Sequence, residues 1–195
     1  MRTGGMVGWM EKNALVDQCR STVEVTGNGQ IVSGLVAYMD GCIISKSFYQ
    51  GHVQGLNYVG GIVGYTWKTY GQSIIKNCYT TGIVDGQNSS FIGGIAGGTN
   101  GTLISYCYST ATVIGLGWMG GIAGGCQDVP LKNNIAANAS IKKYLLAGDD
   151  IGRVYGNALE GMNNYGCDRL YVVDYLIEDD LQTNRNGQDV NTTQI

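Results

Sequence analysis

The groups in this 195-residue sequence that could do covalent, metal or acid–base chemistry are six cysteines, one histidine and fifteen acidic residues. Cys19, Cys78 and Cys107 stand at one position of a recurring element, where Ser47 and Asn134 are the other occupants. A metal needs ligands converging from several directions, at spacings such as Cys-x-x-Cys, and the sequence has none. Side chains stacked in one column about 4.8 Å apart point the same way, which strains a disulfide torsion. They therefore read as small buried thiols, while Cys42, Cys126 and Cys167 fall outside the column. With His52 alone, neither His-Glu-x-x-His zinc chemistry nor a Ser-His-Asp triad has support, and His52 reads as an exposed strand residue. Glu11, Asp17, Glu24, Asp40, Asp85 and Asp128 are expected at different repeat positions, giving no acidic column of the kind a polysaccharide-cleaving enzyme uses. Asp149-Asp150 and Glu178-Asp179-Asp180 read as solvated turns. No catalytic residue, metal or cofactor is expected.

Aromatic residues carry the remaining chemical signal. The position after the cysteine column holds Arg20, Phe48, Tyr79, Tyr108 and Ile135, with Tyr49 and Tyr106 nearby. Phe48, Tyr79, Tyr106 and Tyr108 are the candidate ligand-binding residues. Facing outward, the column would offer a flat platform for sugar rings or a protein partner. Facing inward, it would be an aromatic stack supporting the core. Strand alternation sets it opposite to the cysteines, but spacing leaves both orientations open. Trp9, Trp67 and Trp118 adjoin glycine elements and are expected on turns.

The elements that must position these residues repeat along the chain. A glycine-apolar-apolar-small element recurs at Gly5-Met6-Val7-Gly8, Gly34-Leu35-Val36-Ala37, Gly61-Ile62-Val63-Gly64, Gly94-Ile95-Ala96-Gly97 and Gly121-Ile122-Ala123-Gly124. A degraded sixth copy is read at Gly152-Arg153-Val154-Tyr155-Gly156. Each of the first five is followed by a second element, clearest as Ile75-Lys76-Asn77-Cys78-Tyr79-Thr80-Thr81-Gly82-Ile83-Val84. A unit of about 29 residues is too short for a propeller blade and cannot bury its own apolar face, so stacked coils are expected. The fold class is therefore all-β, a right-handed parallel β-helix or β-solenoid of about five to six coils. Gly5, Gly34, Gly61, Gly94, Gly121 and Gly152 are read as structural, supplying positive φ at corners and close backbone approach. Cys19, Cys78 and Cys107 are read as structural as well.

The two elements together resemble the GLUG motif, a repeat of large bacterial surface proteins that include M26-type immunoglobulin A peptidases and haemagglutinin-like adhesins. The stretch Asn133 to Ile141, then Ile151 to Gly156 and Asn163-Asn164-Tyr165, resembles the usual end of such an array. Departures are Ala37 for the closing glycine, Ser47 and Asn134 for cysteine, and Arg153 in the last copy. The resemblance implies a cell-surface or secreted location and a spacer or adhesive role, with no shared catalytic residues to carry over.

Composition sets the outer bounds. Glycine numbers 32 and proline one, too little proline for collagen, and 44% hydrophobic residues with net charge −3 argue against disorder. A pI near 5.0 gives no basic stripe for nucleic acid, and no apolar run is long enough for a membrane helix. Residues 1–130 hold 12 charged residues and 26 of the glycines, against 15 and 6 in residues 131–195. The expected division is a solenoid over residues 1–156 and a more charged capping segment and exit linker over residues 157–195. The functional expectation is a non-catalytic stalk or adhesion module. Its expected partners are glycans, host surface proteins and other domains of a longer parent chain. The alternative is a β-helix polysaccharide lyase or hydrolase with a shallow groove.

Overall fold

The computed structural model describes residues 1–87, 89–129, 131–138, 140–143, 151–158, 164–167, 171–172, 175–176 and 188–190. Every regular element among them is a β-strand, and none is a helix that could cross a membrane. Short β-branched runs such as Ile31–Ser33, Ile43–Ser45 and Tyr58–Gly60 are broken by glycine or polar residues before a longer strand can form. Each run pairs in parallel with its equivalent one repeat later, so the chain winds into a β-solenoid of about five turns.

Four faces build each coil. The first sheet stacks Arg2–Gly4, Ile31–Ser33, Tyr58–Gly60, Phe91–Gly93, Trp118–Gly120 and Ile151–Gly152. After a tight bend, the second stacks Val7–Glu11, Val36–Asp40, Val63–Trp67, Ala96–Asn100, Ala123–Gln127 and Tyr155–Ala158. A third holds Leu15–Asp17, Ile43–Ser45, Ser73–Lys76 and Thr102–Ser105, and the fourth runs through Phe48–Gln54 and Tyr79–Asp85. Trp9, Trp67 and Trp118 lie within these strands, not on the turns where their spacing from the glycine elements had placed them. Inward positions repeat from coil to coil: Val32, Val59, Ile92 and Met119 on one wall, Ile44, Ile75 and Ile104 on another, and Val53, Val84 and Val113 on a third, all fully buried. Each such side chain contributes roughly 1.5–3 kcal/mol by leaving water.

The glycines have a different role from the one their corner position suggested. None of Gly5, Gly34, Gly61, Gly94, Gly121 or Gly152 has positive φ; among glycines that conformation belongs to Gly41, Gly71, Gly82 and Gly101. What the element's leading glycines supply is close approach. A Cβ at Gly61 would run into the Gly94 carbonyl and the Thr80 side chain, and one at Gly94 into the Gly121 carbonyl and Ser109. The left-handed corner is taken by Gln18, Lys46, Asn77, Tyr106 and Asn133, one per coil, with φ of 53, 45, 54, 54 and 54°. Gly152 also stands one residue off the expected column. It pairs with Gly120, and Gly121 donates its N–H to the Arg153 carbonyl, so Arg153 occupies the leading-glycine position.

The expected division at residue 156 falls largely outside the described residues. Of the segment beyond it, Tyr165–Cys167 pairs in parallel with Ile135–Ala136 and with Gln188–Val190, and Tyr171–Val172 pairs with Tyr175–Leu176 in antiparallel fashion.

Candidate binding surfaces

The cysteine column turns inward. Each side chain at this corner follows a left-handed residue and reaches back to the carbonyl two residues earlier: Cys19 Sγ to Asp17 at 3.3 Å, Ser47 Oγ to Ser45 at 2.7 Å, Cys78 Sγ to Lys76 at 3.2 Å and Cys107 Sγ to Ser105 at 3.3 Å. Ser47 Oγ also accepts the Cys19 N–H, and Asn134 Oδ1 accepts the Cys107 N–H at 2.9 Å. Asn164 adds a further occupant, its Oδ1 accepting the Asn134 N–H at 3.0 Å. Cysteine, serine and asparagine interchange here because each is small and can satisfy corner backbone groups. Cys19, Cys42, Cys78, Cys107 and Cys126 are all free thiols, and burial pushes Cys107 well above the ordinary thiol range.

Because the cysteines face in, the next residue faces out. Phe48 and Tyr79 stack with ring centroids 4.6 Å apart and planes 8° from parallel; Tyr79 and Tyr108 follow at 4.9 Å and 3°. Arg20 lies over the outer face of Phe48 at 5.1 Å, and Ile135 is the register partner beyond Tyr108. The ring faces are thus consumed by one another, and solvent meets ring edges and the Tyr79 and Tyr108 hydroxyls. The outward orientation gives an edge-on ladder, not the flat platform that an outward column would have offered. Burial holds the Tyr108 hydroxyl above its ordinary pKa. Tyr106 stays outside the ladder, on the left-handed corner and 63% exposed.

A second aromatic surface was missed in the sequence. The outward column of the first sheet carries Arg2, Ile31, Tyr58, Phe91 and Trp118, and that of the second carries Trp9, Tyr38, Tyr65, Gly98 and Gly125. The columns meet across the tight bend: Arg2 lies 4.0 Å from the Trp9 ring centroid, and Tyr58 lies 4.4 Å from that of Tyr65. At Gly98 and Gly125 the second column has no side chain, and a cleft of about 290 Å³ opens there beside Phe91 and Trp118. Tyr65 closes one end, and Gln127 and Asp128 lie at its wall. Asp128 pairs with Lys68, and burial raises the Tyr65 hydroxyl to about 12. The signal that could have found the cleft is the loss of an aromatic at one repeat position in two successive coils.

The acids depart from expectation at one place. Glu11 and Asp40 are register partners on adjacent coils, so a two-acid column does form. Asp40 is buried and accepts the Tyr70 backbone N–H at 2.9 Å, while Glu11 pairs with Lys12, which gives both structural partners. Among the described residues no group of three His, Cys, Asp or Glu side chains could hold a metal ion. His52 lies within the strand Phe48–Gln54 with its side chain 39% exposed, 4.0 Å from the Asp85 carboxylate.

Residues 55–85, one full coil running from the first sheet through the cysteine corner to the ladder, match the family model described as the GLUG motif. The third coil matches the GLUG motif. Its Gly61-Ile62-Val63-Gly64 element forms the tight bend, and Cys78-Tyr79 form the thiol corner and the middle of the aromatic ladder. The GLUG coil pairs in register with equivalents before and after it. No curated protein matches the sequence. Among solved structures, a Bacteroides ovatus protein described as a presumed immunoglobulin A1 protease is similar in fold, with a TM-score of 0.66 and 16% identity over 97% of this chain and 79% of that one. At that identity the likeness concerns the fold alone.

Proposed function

We propose that this GLUG-repeat solenoid is a non-catalytic stalk or adhesion module of a bacterial surface or secreted protein, engaging glycans or host proteins through its outer face. The observation that carries the reading is the placement of aromatic side chains in columns on the solvent side of successive coils, spanning Phe48 to Tyr108 on one face and Tyr58 to Trp118 on another. A monomer that buries its apolar surface inside a solenoid has no folding need for exposed aromatics, and tyrosine edges with free hydroxyls suit contacts that are part apolar and part hydrogen-bonded. The stacked geometry also suits a spacer, since neighbouring coils add length without changing their contacts.

The test is an array of glycans and host extracellular proteins probed with the purified segment and with Tyr79→Ala/Tyr108→Ala. Saturable binding that falls in the double variant supports adhesion through the ladder. Absence of any binding, together with turnover of a polysaccharide in the same panel, would replace this reading with the enzymatic one.

A further inference from the structure

We infer that the cleft over Gly98 and Gly125 is a subsite for one sugar ring of a neutral glycan; this deepens the adhesion half of the proposed function and rests on it. In the first three coils the second-sheet column is filled by Trp9, Tyr38 and Tyr65, and in the next two it is vacated by glycine. The Tyr58 and Tyr65 rings lean over the Gly98 rung, 2.9 to 3.1 Å from where its Cβ would lie, and so wall one end of a slot that opens beside Gly125. The column offers Tyr65 no aromatic neighbour on that side, since its register partner is Gly98. At the other end, Trp118 tilts 50° from Phe91, in contrast to the 8° between Phe91 and Tyr58. The cleft thus exposes aromatic surface that the Phe48–Tyr108 ladder keeps for itself. Its volume of about 290 Å³ is at the small end for ligand cavities, enough for a ring and not for a helix or a folded loop.

The polar groups select the class of ring. Thr99 lines the cleft with its backbone alone, since its side chain faces the core beside its register partner Cys126; the polar side chain open to a ligand is that of Gln127, which is exposed. Gln127 and Asp128 lie on the same side. A purely apolar occupant would strip water from Gln127 without replacing it, whereas a sugar has an apolar C–H face for the rings and hydroxyls for Gln127. A cationic group is disfavoured, because Asp128 is already paired with Lys68 and the faces of Tyr58 and Phe91 cover each other at 4.9 Å.

The experiment is saturation-transfer NMR and calorimetry of the segment with methyl glycosides of glucose, galactose, mannose and N-acetylglucosamine and their disaccharides, repeated on Trp118→Ala and Gln127→Ala. Gln127 is exposed, so Gln127→Ala removes the polar contact and keeps the fold, which guards against a loss that merely reports unfolding. We expect saturable binding that falls at least tenfold in Trp118→Ala and about three- to tenfold in Gln127→Ala. Binding unchanged in both variants overturns the inference. So does binding lost only in Tyr79→Ala/Tyr108→Ala, an outcome that leaves adhesion standing and moves it to the ladder. Failure of the wild-type segment to bind any glycoside also overturns the subsite, while protein ligands on the array would still support the adhesion reading.

Discussion

Gly97→Ala tests the claim that the repeat's glycines exist for close approach. Gly97 closes the fourth copy of the bend element, and its φ is not in the left-handed region, so backbone conformation alone would tolerate alanine. An added Cβ, however, would lie 2.6 Å from the Gly64 carbonyl oxygen, 2.6 Å from the Val59 nitrogen and 2.9 Å from the Tyr58 carbonyl carbon. All three are backbone atoms of the preceding coil, held in paired strands, and none can swing away as a side chain would. Relieving the overlap requires shifting one coil against the next by several tenths of an ångström. Overpacking of this kind costs about 1–3 kcal/mol, and strained rung bonds such as Ile62 N–H to Ile95 C=O add about 0.5–1.5 kcal/mol each. Against this, alanine gains about 0.4–1 kcal/mol by restricting the unfolded chain. The expected net loss is about 3 kcal/mol. Gly8 is the internal control, because it holds the same register position in the first coil and its Cβ would meet only the Arg2 carbonyl oxygen, at 3.7 Å. Gly8→Ala should be neutral or slightly stabilising. Urea denaturation followed by far-UV circular dichroism reads both, and with a slope near 2 kcal/mol per molar the Gly97 variant should shift the midpoint down by about 1.5 M. If the two variants unfold within about 0.5 kcal/mol of each other, the close-approach argument is wrong.

Other perturbations address the corners, the thiols and the buried phenol. Asn134→Ala leaves the Cys107 N–H and the Ile104 carbonyl without their side-chain partner and should cost about 2–4 kcal/mol by thermal or chemical denaturation, with Asn134→Ser recovering part of it because Ser47 fills the same position. Of Cys19, Cys42, Cys78, Cys107 and Cys126 only Cys19 is not buried, so among these five a thiol reagent should modify Cys19 in the native protein and reach the other four only after denaturant is added. Tyr49 is fully buried and its hydroxyl donates to the Val23 carbonyl at 2.8 Å, with burial raising its pKa from 10.0 to about 12. The unfolded chain then releases this proton first, so the contribution is intact below pH 10 and disappears as pH rises to about 12; it amounts to roughly 2–3 kcal/mol. Tyr49→Phe should lower stability by about 1 kcal/mol at neutral pH and flatten the alkaline loss in urea melts at pH 9 to 12.

Much of the architecture was legible because a solenoid writes its register into the sequence. The spacing that aligned Cys19, Ser47, Cys78, Cys107 and Asn134 is the spacing at which their strands pair. What spacing could not decide was direction. Alternation placed Cys78 and Tyr79 on opposite faces, but only the packed coil shows the thiol among Ile44 and Ile75 and the ring in solvent. Of the two roles read for the glycines, close approach holds and positive φ fails, for a related reason. Glycine is compatible both with positive φ and with close approach, and sequence shows the residue without the neighbour that demands it. The left-handed corner went to Asn77, Lys46 and even Tyr106 because the following side chain's hydrogen bonds and the stacked strands hold the turn in place. Gly152 was misplaced because it is the equivalent of Gly120, the glycine before the element, while Arg153 replaces the leading glycine itself. Strand pairing to Gly120 exposes the shift.

The cleft shows how such a fold acquires a site. In a compact domain, removing two large side chains leaves a cavity whose walls relax inward, at a cost that grows with its volume. Here the outward columns carry little of the core, which is supplied by Val59, Ile62, Ile92, Ile95 and their equivalents. Replacing an aromatic by Gly98 or Gly125 therefore costs little folding energy, while the backbone ladder keeps the flanking rings of Tyr65 and Trp118 at their rung positions. The coil-to-coil spacing then sets the width of the gap in steps of about 4.8 Å, so the number of consecutive glycines determines how long a ligand the slot accepts. Filling the slot again by Gly98→Tyr should abolish glycoside binding in the NMR assay while sparing the fold. The atoms nearest to an added Cβ there belong to the side-chain rings of Tyr58 and Tyr65, 2.9 to 3.1 Å away, and these can turn where the backbone around Gly97 cannot.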